Sequence, residues 1–144
     1  MKIFTAILAI GVSAPAVACG EPAVEVYRSP TCSCCIKWVR HLESEGFTVA
    51  VNDVRDVRPL KAEHGVPESL GSCHTALVDG YVVEGHVPAS DVKRLLAERP
   101  KVTGLAVPGM PIGSPGMEGP NPERYRVMSF DAAGRIETYS SHGP

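Results

Sequence analysis

The stretch that decides the fold is AVEVYRSPTCSCCIKWVRHLESEGFTVAVNDV, residues 23–54. Its first part, AVEVYRS (23–29), alternates and carries β-branched residues, which predicts a strand ended by Pro30. From about Cys32 to Glu45 the apolar residues Cys35, Trp38, Val39 and Leu42 fall at i, i+3, i+4 and i+7, the stripe of an amphipathic helix. Gly46 is a natural stop for that helix. FTVAVNDV (47–54) reads as a second strand, and its apolar run suits a buried one. Strand, helix and strand in this order predict a parallel pair. Cys32, Cys34 and Cys35, three of the five cysteines in the chain, sit where the first strand hands over to the helix.

Working outward, residues 56–64 suit a short helix closed by Gly65-Val66-Pro67. HTALVDG (74–80) and YVVEGHV (81–87) are two short strands meeting at Asp79-Gly80, a strong hairpin signal. Ala89–Glu98 reads as a helix, capped by Ser90 or the preceding turn and stopped by Pro100. The order β-α-β-α-β-β-α predicts an α/β sandwich. The stretch KVTGLAVPGMPIGSPGMEGPNPERY then holds five prolines and five glycines, so regular structure is not expected there. Long irregular segments in compact domains are usually functional or disordered. YRVMSF and RIETYSS, either side of Asp131-Ala-Ala-Gly134, read as a terminal β-hairpin. No internal repeat is present.

The 14 basic and 16 acidic side chains nearly cancel and form no basic block, which argues against nucleic acid as a partner. The 44% apolar content is enough for one ordinary core. Lys2, the apolar run IFTAILAIGV and the small residues Ala16-Val17-Ala18 have the layout of a secretory signal, residues 1–18. The run is too short for a lasting membrane anchor, so an exported, periplasmic protein is expected. Cleavage after Ala18 would leave Cys19 first, an opening for lipid attachment, although Ala16 poorly fits the larger aliphatic such signals place there. The division expected is a signal (1–18), a core domain (19–100) and an extension packed on it (101–144).

A cysteine at a helix N-terminus faces unpaired N–H groups and the positive end of the helix dipole, which favour thiolate. Cys32 has that place, with Cys34 and Cys35 in the first turn. In an exported protein a structural disulfide is the plain alternative. A Cys32–Cys35 bridge, however, would leave Cys34 free beside it. Three thiolates at one helix end make better sense with a soft metal bound. Thiolates and thioethers select Cu(I), whereas imidazole also suits Cu(II) and zinc. The remaining soft donors are Cys73, Met110 and Met117, with His86 at a strand end. Packing is an equal alternative for the methionines, and solvation for His86. A four-cysteine zinc site lacks the paired C-x-x-C spacing. His41 and His64 are expected at the surface, and His142 in solvent.

Cys32-Ser-Cys34-Cys35, Ser72-Cys73-His74-Thr75-Ala76 and GLAVPGMPIGSPGME (104–118) together resemble the periplasmic copper-resistance family called CopG, which is unrelated to the plasmid repressor of that name. The likeness spans essentially the whole mature chain. It implies a thioredoxin-like domain with a C-terminal extension that contributes to metal binding. It also implies a cysteine-bridged, multinuclear copper site that interconverts Cu(I) and Cu(II) before export. The implied ligands are Cys32, Cys34, Cys35 and Cys73, with His86, Met110 and Met117 as weaker assignments, and Cys32 and Cys35 as the redox pair. In thioredoxin-like folds a cis-proline faces the C-x-x-C motif. His74 holds that place here, which puts simple disulfide exchange in doubt and leaves the role of His74 open. The expected partners are copper ions and periplasmic copper efflux components, for a monomeric protein. The competing expectations are a passive copper carrier and a metal-free thiol–disulfide oxidoreductase.

Overall fold

The computed structural model describes residues 22–144, so the signal segment and Cys19 lie outside the described residues. The elements are β1 (Val24–Arg28), α1 (Ser33–Ser44), β2 (Val49–Asp53), α2 (Arg58–Glu63), a single 3₁₀ turn (Glu68–Leu70), β3 (His74–Val78), β4 (Tyr81–Glu84), α3 (Ala89–Glu98), β5 (Gly104–Ala106), β6 (Tyr125–Phe130) and β7 (Ile136–His142). All seven strands form one sheet in the order β2-β1-β3-β4-β5-β6-β7. β1 and β2 are parallel, and β3 and β4 form the hairpin turned at Asp79-Gly80. The architecture is an α/β, thioredoxin-like sandwich ending in a hairpin, β6 with β7.

Alternation along the strands divides the apolar residues between two faces. Val24, Val26, Ala76, Val78, Val83, Leu105 and Val127 pack with Trp38, Val39 and Leu42 of α1 and with Val92 and Leu95 of α3. The opposite face carries a smaller cluster of Val82, Ala106 and Phe130 with Leu70 from the 3₁₀ turn. Burying a side chain the size of Leu or Val contributes about 1.5–3 kcal/mol, so the first cluster is the principal core.

Two expectations are corrected. β2 is an edge strand, not a buried one: Val51 is 40% exposed, and only Val49 packs partly against the core. An apolar run of this length satisfies an edge as well as a centre, because one face still meets α1. The region after Pro100 also contains regular structure, since Gly104-Leu105-Ala106 is a fully buried strand parallel to β4. A Cβ at Gly104 would lie 2.0 Å from the Val82 carbonyl oxygen, so only glycine lets the two backbones approach. The turns between β5 and β6 stay irregular, as their prolines dictate.

Candidate metal centre

β1 delivers Cys32 to the N-cap of α1, and Cys34 and Cys35 follow in the first turn. Arg28, 8% exposed, holds this turn from below. Its Nη1 donates to the carbonyls of Ser29 (3.0 Å) and Cys32 (3.1 Å), and its Nη2 pairs with Asp53 on β2 (2.9 Å). Cys32 and Cys35 are joined as a disulfide, with their Cα atoms 5.4 Å apart. Cys34 and Cys73 are free, both half-buried. The four sulfurs lie within 4.8 Å of one another, with Cys34 Sγ 3.5 Å from Cys32 Sγ and 3.9 Å from Cys73 Sγ.

Cys73, just before β3, is shared with a second group. Its sulfur is 3.0 Å from His86 Nε2 and 3.2 Å from His74 Nδ1, and both rings are fully buried. Burial, reinforced by the charge of Cys34, pushes the Cys73 thiol up to about 12. Burial also lowers the pKa of His86, and that of His74 far below the usual value. His86 Nδ1 lies 2.7 Å from the Pro115 carbonyl, which can only accept, so Nδ1 carries the proton. The lone pair of Nε2 is thereby aimed at Cys73, the arrangement in which a histidine ligates a metal. His74 packs 4.4 Å from the Trp38 ring, and its Nε2 is buried without a partner.

The segment between β5 and β6 folds over the helix end. A Cβ on Gly116 would come within 2.8 Å of the Cys34 carbonyl and the Trp38 amide, and 3.2 Å of His86 Nδ1. Met110 Sδ reaches within 4.0 Å of Cys34 Sγ, although Met110 itself is 50% exposed. Met117 lines the same open cleft beside Cys34, with Gly116 and Ile112. Thus the structure brings together Cys32, Cys34, Cys35, Cys73, His86 and Met110, adds His74, and puts Met117 at the cleft wall.

A supporting network underlies Cys73. Glu84 is fully buried, and it accepts from the Ser72 amide (2.7 Å), the Thr75 hydroxyl (2.6 Å) and the Lys61 ammonium. Ser72 Oγ donates to the Gly109 carbonyl (2.5 Å), tying the Cys73 segment to the residue before Met110. Neither Arg28 nor the Lys61–Glu84 pair stands out in the sequence, where each reads as a solvated charge. The one legible hint was Glu84 inside an otherwise apolar hairpin strand.

The comparisons with known proteins bear on this geometry. A family described as "Protein of unknown function, DUF411" matches residues 70–117, which include Cys73, His74, His86, Met110 and Met117. No curated protein matches the chain. A solved structure described as copper resistance protein copG, form 2, is 43% identical, with a TM-score of 0.81, and covers 85% of this chain and 99% of its own. A second, described as form 1 of that protein, is 42% identical with the same TM-score and covers 86% and 99%. This chain belongs to the CopG family of copper resistance proteins. For a CopG-family protein the donor set is chemically apt, because clustered sulfurs with adjoining imidazoles favour copper over hard cations. Among the described residues no helix is long and apolar enough to cross a membrane.

Proposed function

We propose that the protein is a periplasmic copper-binding oxidoreductase. It holds several copper ions through bridging cysteine sulfurs and interconverts Cu(I) and Cu(II) for copper tolerance and export. The supporting observation is the position of Cys73, whose sulfur belongs both to the four-sulfur group and to the pair of buried imidazoles. Sulfur donors stabilise Cu(I), and imidazole also accommodates Cu(II). A site joined through one sulfur can therefore keep copper in either state. Met110 and Met117 add soft donors on the open side, and the leader segment directs the chain to the periplasm, where efflux components take the copper.

The test is metal analysis of anaerobically purified protein, followed by oxidation and reduction with copper monitored spectroscopically. Copper is expected in more than one equivalent. Cys34→Ser should lower that stoichiometry while leaving the far-UV circular dichroism unchanged. Unchanged copper content in that variant would count against bridging, and tightly held native zinc would sink the reading. Copper that stays in one state throughout would leave a passive carrier.

The Cys32–Cys35 disulfide favours a second reading, a metal-free thiol–disulfide oxidoreductase. That activity needs only Cys32 and Cys35. It would survive Cys34→Ser intact and proceed with copper chelated away.

A further inference from the structure

With Cys32 and Cys35 bonded, two thiols remain, and they face one another. Cys34 Sγ, in the first turn of α1, is 3.9 Å from Cys73 Sγ, which reaches it from 39 positions along the chain. A disulfide requires sulfurs about 2.05 Å apart. Closing the gap takes roughly 2 Å of sulfur movement, and neither cysteine is fully buried. The competing neighbour is Cys32, 3.5 Å from Cys34. That sulfur is already bonded, so attack there only exchanges one disulfide for another and releases no electrons.

We propose that Cys34 and Cys73 form a second disulfide, and that Cu(II) is the oxidant that closes it. Two S–H bonds break and one S–S bond forms. The two electrons reduce two Cu(II) ions to Cu(I), and the two protons leave to solvent through the open cleft at Cys34. The four sulfurs are then a four-electron store, of which the Cys32–Cys35 bond accounts for the first two. The fully oxidised state offers copper no thiolate. Reduction of Cu(II) and release of the Cu(I) product therefore become one event. This rests on the copper reading above and adds to it the source of the electrons and the fate of the ligands.

The experiment uses the full chain carrying Cys19→Ser, prepared with Cys32–Cys35 closed, and two equivalents of Cu(II) sulfate added without air. Remaining thiols are alkylated before a Cu(I)-specific chelator is introduced, so that the chelator does not itself drive the oxidation. Two Cu(I) per chain are expected, with Cys34 and Cys73 both protected from alkylation. Peptide mapping should show a Cys34–Cys73 linkage within a monomer. Cys34→Ser and Cys73→Ser, each checked for an unchanged fold, should yield no Cu(I). The proposal is overturned if both thiols remain alkylatable, if Cys34 links to another chain, or if Cys34→Ser still yields two Cu(I). A protein that retains and cycles copper while both thiols stay free keeps the functional reading and loses only this one. A protein whose thiols stay free and that takes up copper in neither oxidation state loses both.

Discussion

His41 holds the start of α3 through a ring nitrogen that must stay unprotonated: its Nε2 accepts the Ala89 N–H at 3.0 Å. Burial lowers its pKa, Lys93 adds to that, and Glu45 and Glu118 oppose it. The unfolded ring takes up a proton near pH 6.5, and the folded one only at lower pH. Stability from this group is therefore complete above about 6.5 and is lost as pH falls through the folded value. The melting temperature of the metal-free protein should drop on acidification below about pH 6.5, and His41→Gln should flatten part of that slope. An identical slope in the variant would show that His41 does not contribute. The sequence placed this histidine on a helix but not against a neighbour, since 48 residues separate it from Ala89. His142 likewise escaped its expected solvation, pairing with Asp91 (2.6 Å) and stacking on Tyr125. His86 was legible as a candidate donor. Its burial and its fixed tautomer were not, because the deciding Pro115 carbonyl lies 29 residues away.

The β3–β4 hairpin works as a unit because Glu84 sits opposite Thr75 and reaches back to the Ser72 amide, while the next residues, Gly85-His86, bring an imidazole to Cys73. A buried carboxylate needs its counter-ion, and removing one partner of such a pair costs about 3–5 kcal/mol. Lys61→Met should destabilise the protein by that order in urea denaturation. The Lys61→Met, Glu84→Gln double variant should recover much of it, as the amide oxygen still accepts from the Ser72 N–H and the amide nitrogen can donate to the Thr75 hydroxyl oxygen. Failure of the double variant to recover would mean that Lys61 acts by packing, not charge. Gly85→Ala should be harmful as well: φ is +72°, and the added carbon would lie 2.6 Å from Ser72 Oγ and 2.7 Å from the Val107 carbonyl. The hairpin, α1, α3 and the terminal β6–β7 pair were readable because turn chemistry and periodicity are local. The position of β2 in the sheet was not, since strand order depends on partners. Nor was β5, whose three residues carry no periodic signal and owe their extended form to β4 and β6.

At the scale of the molecule, the part after Pro100 builds both the sheet and the site. β5, β6 and β7 supply three of the seven strands, and Leu105, Val107, Tyr125 and Val127 belong to the principal core. A truncation after Arg99 would therefore expose one edge of β4 and the apolar face beneath it, and should not fold as an independent thioredoxin-like core. The site contribution can be removed separately. β5 and β6 are antiparallel neighbours, with Ala106 opposite Met128, so the connection between them is an excursion that a short link can replace. Substituting residues 110–122 with a Gly/Ser turn should keep the sheet, the Cys32–Cys35 pair, the Ser72–Gly109 hydrogen bond and the Cys34–Cys73 approach. It removes the Pro115 carbonyl that faces His86, together with both methionines at the cleft. Loss of such orienting partners typically lowers metal affinity by about 10- to 100-fold. Copper should accordingly be held that much more weakly, measured by competition with a Cu(I) chelator, and the site should oxidise faster in air. The Met110→Leu, Met117→Leu double variant separates the donors from the orienting carbonyl, because leucine is close in volume. If the double variant matches wild type while the excised loop does not, the methionines are packing and His86 orientation carries the effect. Wild-type affinity in both would remove the loop from copper binding altogether.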